Sequence, residues 1–107
     1  MNEYSVNVTE TAFADLEEIA RYIKDELKEP AIAVRIIAEI KKAIFSLNTS
    51  PRRHPSVRDK NLARVGFRCL FVGNYTVFYI VSETEPVVDA TRVLYSRRNW
   101  EKLLYTT

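Results

Sequence analysis

Hydrophobic residues recur at helical spacing in the first half of the chain and alternate in the second half. A short alternating segment at 4–8 predicts a half-buried strand, and two stretches follow in which apolar side chains return every three or four residues. Thr9 or Thr11 offers an N-cap to the first predicted helix, and Pro30 suits the first turn of the second. Because the link between them is short, we expect an antiparallel helical hairpin. The apolar stripes are Phe13, Leu16, Ile19, Ala20, Ile23 and Leu27, then Ala33, Ile36, Ile37, Ile40, Ile44 and Leu47.

The pattern changes after Leu47. The segment "NTSPRRHPSVRDKN" contains two prolines and many polar residues, which predicts a loop. "FRCLFVGNYTVFYIV" predicts two strands around a tight turn at Gly73 and Asn74, and "VVDATRVLY" predicts a third strand. The expected fold class is α+β, in which an N-terminal strand precedes an antiparallel αα-hairpin packed on an antiparallel β-sheet, with a short C-terminal helix.

Length and composition indicate a single domain over residues 1–107. No apolar stretch is long enough to span a bilayer, and "MNEYSVNVTE" lacks a signal-peptide pattern. We therefore expect a cytoplasmic protein without a membrane partner. The one cysteine, Cys69, cannot form an internal disulfide and suits a packed position in its strand.

The net charge of +2 conceals an uneven distribution along the chain. Residues 52–68 contain six basic side chains and one acid, and residues 92–102 contain four basic side chains and one acid. The rest of the chain is therefore acidic by six charges. This split favours a surface that faces a polyanion, although basic loops on an ordinary surface would give the same distribution.

The sequence lacks the combinations of residues that most kinds of reactive site require. The lone histidine, His54, and the distant Cys69 give no metal-ligand spacing, and neither glycine belongs to a phosphate-binding loop. The serines lack the sequence context of a hydrolase nucleophile. The acids concentrate on the predicted helices, where solvation and the helix dipole account for them. We expect no metal and no cofactor, and arginine, lysine and tyrosine remain to carry any chemistry.

The end of the last predicted strand combines those residue types. In "RVLYSRRNWEKLL", Tyr95 stands near Arg92, Arg97 and Arg98. Cleavage of RNA by its own 2′-hydroxyl requires proton transfer and stabilisation of a phosphorane, and guanidinium groups bind phosphate oxygens well. A tyrosine flanked by cations holds its proton less tightly, which suits it to acid–base catalysis. The alternative is a core tyrosine with its hydroxyl at the rim, beside solvated arginines.

Three segments, in this order, resemble the RelE/ParE superfamily of bacterial type II toxin–antitoxin toxins. "VTETAFADLEEIARYI" is similar to the opening strand and helix of the family, "VGNYTVFYIV" to its central hairpin, and "TRVLYSRRNWEKLL" to its closing strand and tail. The resemblance implies a growth-arresting toxin that a cognate antitoxin wraps with helices or an added strand. It also implies that operator DNA is bound only through the antitoxin.

The superfamily contains two activities, and the sequence has features of both. RelE-like members cleave messenger RNA on the ribosome with arginines, lysines and a C-terminal tyrosine or histidine, whereas ParE-like members inhibit DNA gyrase and are not known as hydrolases. Tyr95, three residues after Arg92, matches the terminal tyrosine of ribonuclease members. Phe71 stands where many of them have arginine, and the long hairpin and apolar tail are similar to ParE. The sequence slightly favours metal-free, ribosome-dependent mRNA cleavage; the alternatives are gyrase inhibition and a degenerate toxin that only binds antitoxin.

The ribonuclease interpretation assigns two groups of residues. The catalytic group has a tyrosine in proton transfer and arginines on phosphate: Tyr95, Arg92, Arg97, Arg98 and Arg68. The nucleic-acid-binding group is Arg52, Arg53, His54, Arg58, Lys60 and Arg64, in which His54 is alternatively a solvated loop residue. Strict alternation directs Arg68 to the opposite face from Phe71, unless a β-bulge re-aims it.

Overall fold

The computed structural model describes residues 3–105, so the ends of the predicted domain, residues 1–2 and 106–107, lie outside the description. The elements follow the predicted order, with one additional short helix before the meander. They are β1 (Ser5–Val8), α1 (Glu10–Arg21), α2 (Pro30–Phe45), α3 (Lys60–Val65), β2 (Phe67–Val72), β3 (Tyr75–Val81), β4 (Val87–Tyr95) and α4 (Trp100–Tyr105). Within this part of the chain, no helix is long and apolar enough to cross a membrane.

The helical hairpin is present, and its connected end departs from regular α-helix. Thr9 begins α1, because its hydroxyl accepts a hydrogen bond from the backbone N–H of Ala12 at 3.1 Å. At the far end α1 continues into one π-helical turn, Tyr22–Glu26, before Lys28 adopts a left-handed backbone conformation with φ 54°. Pro30 then occupies the first turn of α2. π-helical turns are rare in proteins overall, but those that occur are often at functional sites. This end of the hairpin is therefore a candidate position for a functional site.

The four strands form one sheet in the order β1-β4-β3-β2. The three later strands are the predicted antiparallel meander. β1 adds a parallel pair to this antiparallel sheet, because it lies beside β4, from Ser5 opposite Val87 to Val8 opposite Ala90. A parallel partner requires a long connection, which the hairpin and two further strands supply. The α+β class is confirmed, with a mixed sheet.

Helices cover both faces of the sheet. On one side, the hairpin face, Leu16 of α1 and Ile40 of α2 pack with Val93 of β4. On the other side, the α4 face, Trp100 packs on Phe78 with ring centroids 5.0 Å apart. Both faces of the sheet therefore contain buried residues, and the register decides which face a side chain meets.

A β-bulge sets that register at the end of β4. Phe78 lies opposite Arg92, whereas the next residue, Tyr79, lies opposite Ala90, so Thr91 is an extra residue in β4. The Thr91 hydroxyl donates to the Phe78 carbonyl oxygen at 3.0 Å, which satisfies the buried side chain. Beyond the bulge, residues 93 and 95 lie on the hairpin face.

Residues 48–61, predicted as a loop, contain more regular structure than their polar sequence suggests. A short 3-10 helix forms at Pro51–Arg53. The Asp59 carboxylate accepts hydrogen bonds from the amides of Asn61 and Leu62 at 2.9 and 3.0 Å and so begins α3. Gly66 ends α3 with φ 113°, a conformation that favours glycine.

Candidate functional site

Tyr95 ends β4 and begins a tight turn that carries Arg97 and Arg98. The amide of Ser96 donates to the Asn74 carbonyl oxygen at 2.9 Å, and the amide of Arg98 donates to the Tyr95 carbonyl oxygen at 2.9 Å. The main chain of the turn is therefore satisfied by neighbouring main chain. Of its side chains, the Ser96 hydroxyl shares a hydrogen bond with the Thr76 hydroxyl at 2.8 Å. Both arginines are exposed without a side-chain hydrogen bond or ion pair to any residue in 3–105.

A cleft of about 650 Å³ lies between the connected end of the hairpin and the end of the sheet, and we call it the tyrosine cleft. Its aromatic and charged lining residues are Tyr22, Tyr75, Tyr95, Asp15, Glu18, Glu29 and Arg98. Tyr95 is 45% exposed, and its ring meets that of Tyr75 edge to face with centroids 6.0 Å apart. Burial raises the pKa of Tyr75, and the neighbouring phenols of Tyr22 and Tyr95 raise it further. The cleft thus gathers three phenols and brings together two of the predicted catalytic residues, Tyr95 and Arg98.

Arg92 is held in an ion pair with Asp15 of α1. Its Nε donates to Asp15 Oδ2 at 2.8 Å and its Nη2 donates to Oδ1 at 2.9 Å, with the two side chains 13% and 9% exposed. These hydrogen bonds raise the pKa of Arg92 above its ordinary value. Asp15 also accepts the amide of Val93 at 3.0 Å, beyond the point where β1 ends opposite Ala90. The carboxylate therefore stands in for a strand partner at the edge of β4.

The expectation that the acids of the helices are solvated is wrong for Asp15, which is buried. One signal was available. Asp15 lies three residues after Ala12 and directly before Leu16, both of which are buried, so it falls on the apolar stripe of its helix. An acid on such a stripe requires a buried partner.

Arg68 supports the loop between α2 and α3. β2 runs without a bulge, and Arg68 lies opposite Tyr79, on the hairpin face, as alternation predicts. Its Nη1 donates to the backbone carbonyl oxygens of His54 at 2.7 Å and Arg52 at 3.2 Å. Phe71, on the opposite face, is 63% exposed. Arg68 is therefore bound to the main chain of its own protein.

Register also separates Arg68 from the tyrosine cleft. Tyr95 lies opposite Tyr75, and Arg68 lies opposite Tyr79 on the same central strand. Four residues of strand correspond to about 13 Å. The predicted catalytic residues therefore do not form one cluster; their catalytic roles stay predictions.

Two predicted RNA-binding arginines also bind backbone. Arg52 donates to the Ser82 carbonyl oxygen and to the Tyr4 hydroxyl, each at 3.2 Å. Arg53 donates to three carbonyl oxygens after α2, those of Ser46, Thr49 and Ser50. Carbonyl oxygens in irregular backbone lack ladder partners, and the five donors of a guanidinium can satisfy several of them.

His54 is partly buried rather than fully solvated. Its ring meets Tyr79 edge to face at 6.4 Å, and its buried Nε2 has no hydrogen-bond partner among the described residues. Burial, and then the positive charge of Arg53, lower the pKa of His54. Tyr79 is itself buried, which raises its pKa to about 12, and its hydroxyl donates to the Pro51 carbonyl oxygen. Both side chains support the loop.

The other predicted RNA-binding residues lie around α3. Arg58 stacks its guanidinium over the Trp100 ring, 5.6 Å from the centroid. Arg64 reaches only the Asn61 side chain at 3.5 Å, and Lys60 is exposed. These three cations are available to solvent or a partner, although Arg58 also helps to hold α4.

The described residues 3–105 contain no group of three or more His, Cys, Asp or Glu side chains that could hold a metal ion. Cys69 is buried, as expected of a packed thiol, and burial raises its pKa. A thiol with a raised pKa is a poor nucleophile at neutral pH.

The family model described as ParE toxin of type II toxin–antitoxin system, parDE, matches residues 6–100. A search of curated proteins found no significant match. Among solved structures, the chromosomal ParDE toxin–antitoxin system from P. aeruginosa is similar with a TM-score of 0.71 and 18% identity, over 87% of this chain and 96% of that one.

Two RelE structures are also similar. The toxin–antitoxin complex RelBE2 from Mycobacterium tuberculosis has a TM-score of 0.62 and 27% identity, over 87% of this chain and 98% of that one. A mutant of the E. coli toxin RelE in the free state has a TM-score of 0.60 and 17% identity, over 97% of this chain and 92% of that one. The fold is thus common to both branches, and the family model matches the ParE branch.

Proposed function

Since this chain belongs to the ParE toxin family of type II toxin–antitoxin systems, we propose that it arrests growth by binding DNA gyrase and not by cutting RNA. A cognate antitoxin holds it inactive, in keeping with the toxin–antitoxin systems among the similar structures. Contact with operator DNA belongs to the antitoxin.

The observation that carries this proposal is that the donors of the key arginines are already engaged. Arg92 is bound to Asp15, and Arg68 is bound to two carbonyl oxygens. A guanidinium contributes to catalysis when its donors point at the charge that develops in the transition state. To do so here, each arginine would first have to give up hydrogen bonds inside its own fold. Among the predicted catalytic arginines, Arg97 and Arg98 make no such bond within residues 3–105, and they suit a contact with another macromolecule.

A second candidate is ribosome-dependent mRNA cleavage. Tyr95 and Arg98 line the same cleft, and Arg97 lies beside them, so a proton-transfer group has cations nearby. This candidate would use three residues for the chemistry, without Arg92 or Arg68. Its targets would be the ribosome and mRNA.

Two measurements separate these candidates. After induction in cells, DNA and protein synthesis are followed separately within minutes; purified toxin is then tested for inhibition of gyrase supercoiling. We expect DNA synthesis to fall first and supercoiling to be inhibited. Intact supercoiling activity with early cleavage of mRNA would reject gyrase as the target.

Matched variants test the residues. Tyr95→Phe keeps the ring and removes the hydroxyl, so we expect it to retain gyrase inhibition, whereas a ribonuclease using Tyr95 would lose its activity. Reversing both exposed charges, Arg97→Glu with Arg98→Glu, should weaken inhibition about tenfold through like-charge repulsion. Arg64→Glu, an exposed reversal on α3, is the control and should have a much smaller effect. Equal effects of the two reversals would count against a role for the turn.

A further inference from the structure

The tyrosine cleft combines three features that together indicate a binding site. Tyr22 is 54% exposed and Leu27 is 52% exposed, so large apolar surface faces solvent at its rim. Three phenol rings, Tyr22, Tyr75 and Tyr95, face the same space. The π-helical turn, which carries Tyr22 and precedes Leu27, is a local departure from regular helix that shapes the rim.

The charge of the cleft is acidic. Of its acids, Asp15 is engaged by Arg92, whereas the carboxylates of Glu18 and Glu29 make no hydrogen bond or ion pair with any residue in 3–105. Arg98 is the one cation among the lining residues. Glu18 also interacts electrostatically with Arg92, which is not a lining residue. The two carboxylates without a hydrogen bond share the lining with one arginine, so the lining itself keeps an excess negative charge.

Tyrosine faces and carboxylates together are the chemistry that recognises a cationic side chain. An aromatic ring attracts a cation through its quadrupole, and a guanidinium can stack on a ring while donating to a carboxylate. The aliphatic stem of an arginine would cover apolar surface at Ile19 and Leu27 at the same time. Lysine has no planar group to stack, so arginine fits this lining better.

We propose that the tyrosine cleft receives an arginine side chain of the antitoxin, together with a neighbouring aliphatic side chain from the same segment. The negative charge of the cleft favours a segment with a positive charge, and the apolar lining residues, such as Ile19 and Leu27, become buried against that segment. This inference rests on the part of the proposed function that gives the chain an antitoxin, and it does not depend on gyrase being the target.

The first test measures binding of a defined peptide to purified toxin. The probe is an acetylated, amidated helical peptide with two leucines and one arginine on one face, and its match carries citrulline, the uncharged isostere, instead of arginine. We expect the arginine peptide to bind about tenfold more tightly, with shifts of the Tyr22, Tyr75 and Tyr95 ring resonances. Equal affinity of the two peptides, or no binding of either below about 1 mM, would overturn the proposal.

Variants identify the groups responsible. In the double variant Glu18→Gln with Glu29→Gln, the preference for arginine over citrulline should fall to about one. Glu39→Gln, an exposed change on α2 outside the cleft, should keep the preference. Tyr22→Leu should reduce the preference while the citrulline peptide binds as before. A preference that survives the double variant, or that Glu39→Gln also removes, contradicts the assignment.

A displacement experiment identifies the source. Co-expressed toxin–antitoxin complex is compared with free toxin, and we expect the complex to bind no arginine peptide. A complex that still binds the peptide with the affinity of free toxin would show that the antitoxin does not occupy the cleft. Supercoiling inhibition by the unmodified toxin is measured separately, without any peptide, so failure of this inference and failure of the gyrase proposal give different results.

Discussion

The two basic segments of the chain, residues 52–68 and 92–102, use their positive charge in different ways. In the first, Arg52, Arg53 and Arg68 donate to backbone carbonyl oxygens. In the second, Arg97 and Arg98 are exposed and make no side-chain hydrogen bond within residues 3–105. The more basic segment in the sequence therefore keeps its positive charge but offers fewer unengaged guanidinium donors than its count suggests.

Main-chain hydrogen bonding explains the difference. The segment after α2 is irregular, so its carbonyl oxygens lack ladder partners and guanidinium groups satisfy them. In the turn after β4, the amides of Ser96 and Arg98 donate to the backbone carbonyl oxygens of Asn74 and Tyr95. An arginine in an irregular loop thus stabilises the fold by donating to carbonyl oxygens. An arginine beside a turn whose amides bind other backbone is free to bind a partner.

The largest effect on stability is expected for the ion pair of Arg92. Arg92 belongs to the second segment, but its donors are engaged within the protein, like those of the first. Asp15→Ala leaves the arginine charged in a mostly buried place and also removes the acceptor of the Val93 amide. We expect the free energy of unfolding to fall by about 3 kcal/mol, measured by urea denaturation. Glu17→Ala, an exposed neighbour on α1, should change it by less than about 0.5 kcal/mol. Similar losses in the two variants would show that the ion pair is unimportant for stability.

A smaller loss of stability is expected when Arg68 is replaced. Arg68→Gln shortens the side chain, so that its amide no longer reaches the His54 and Arg52 carbonyl oxygens and leaves them short of partners. The free energy of unfolding should fall by about 2 kcal/mol in the same assay. Arg64→Gln, which loses only a contact at 3.5 Å, is the matched control and should be near neutral. If Arg68→Gln is as stable as the control but loses toxicity, Arg68 belongs to a binding surface.

The smallest effect is a pH dependence at His54, the only histidine of the chain. Its pKa in the folded protein lies below the ordinary value of 6.5, so the unfolded chain binds the proton more strongly. The resulting stability is complete above pH 6.5 and is lost as the pH falls through the lower, folded pKa. Urea denaturation at about pH 7.5 and about pH 5.5 should show this loss in the native protein and a smaller one in His54→Gln. An identical pH dependence in both would mean that burial of His54 has no energetic consequence.

The parts of the fold that depend on local signals were predictable. Thr9 caps α1, Pro30 begins α2 and the turn at Gly73 joins β2 to β3, because caps, proline and turn residues act within a few positions. The π-helical turn had no such signal, since its residues fit the same apolar stripe as a regular helix.

The parts that depend on distant pairings were not predictable. The parallel pairing of β1 with β4 joins segments about eighty residues apart, and local pattern does not specify the partner of a strand. The same holds for the candidate site. Tyr95 and Arg98 could be found from their neighbours in sequence, whereas the engagement of Arg92 by Asp15 and of the loop arginines by carbonyl oxygens required the fold.

Thr91 has a consequence for how toxins of this fold can diverge. Because it is the extra residue of the bulge, Ala90 before it and Val93 after it lie on the same face, although they are three positions apart. Its deletion would restore strict alternation and leave the pairs of Val93 with Val77 and of Tyr95 with Tyr75 unchanged. The length of β4 can therefore change by one residue at this position while the side chains beyond it keep their surfaces.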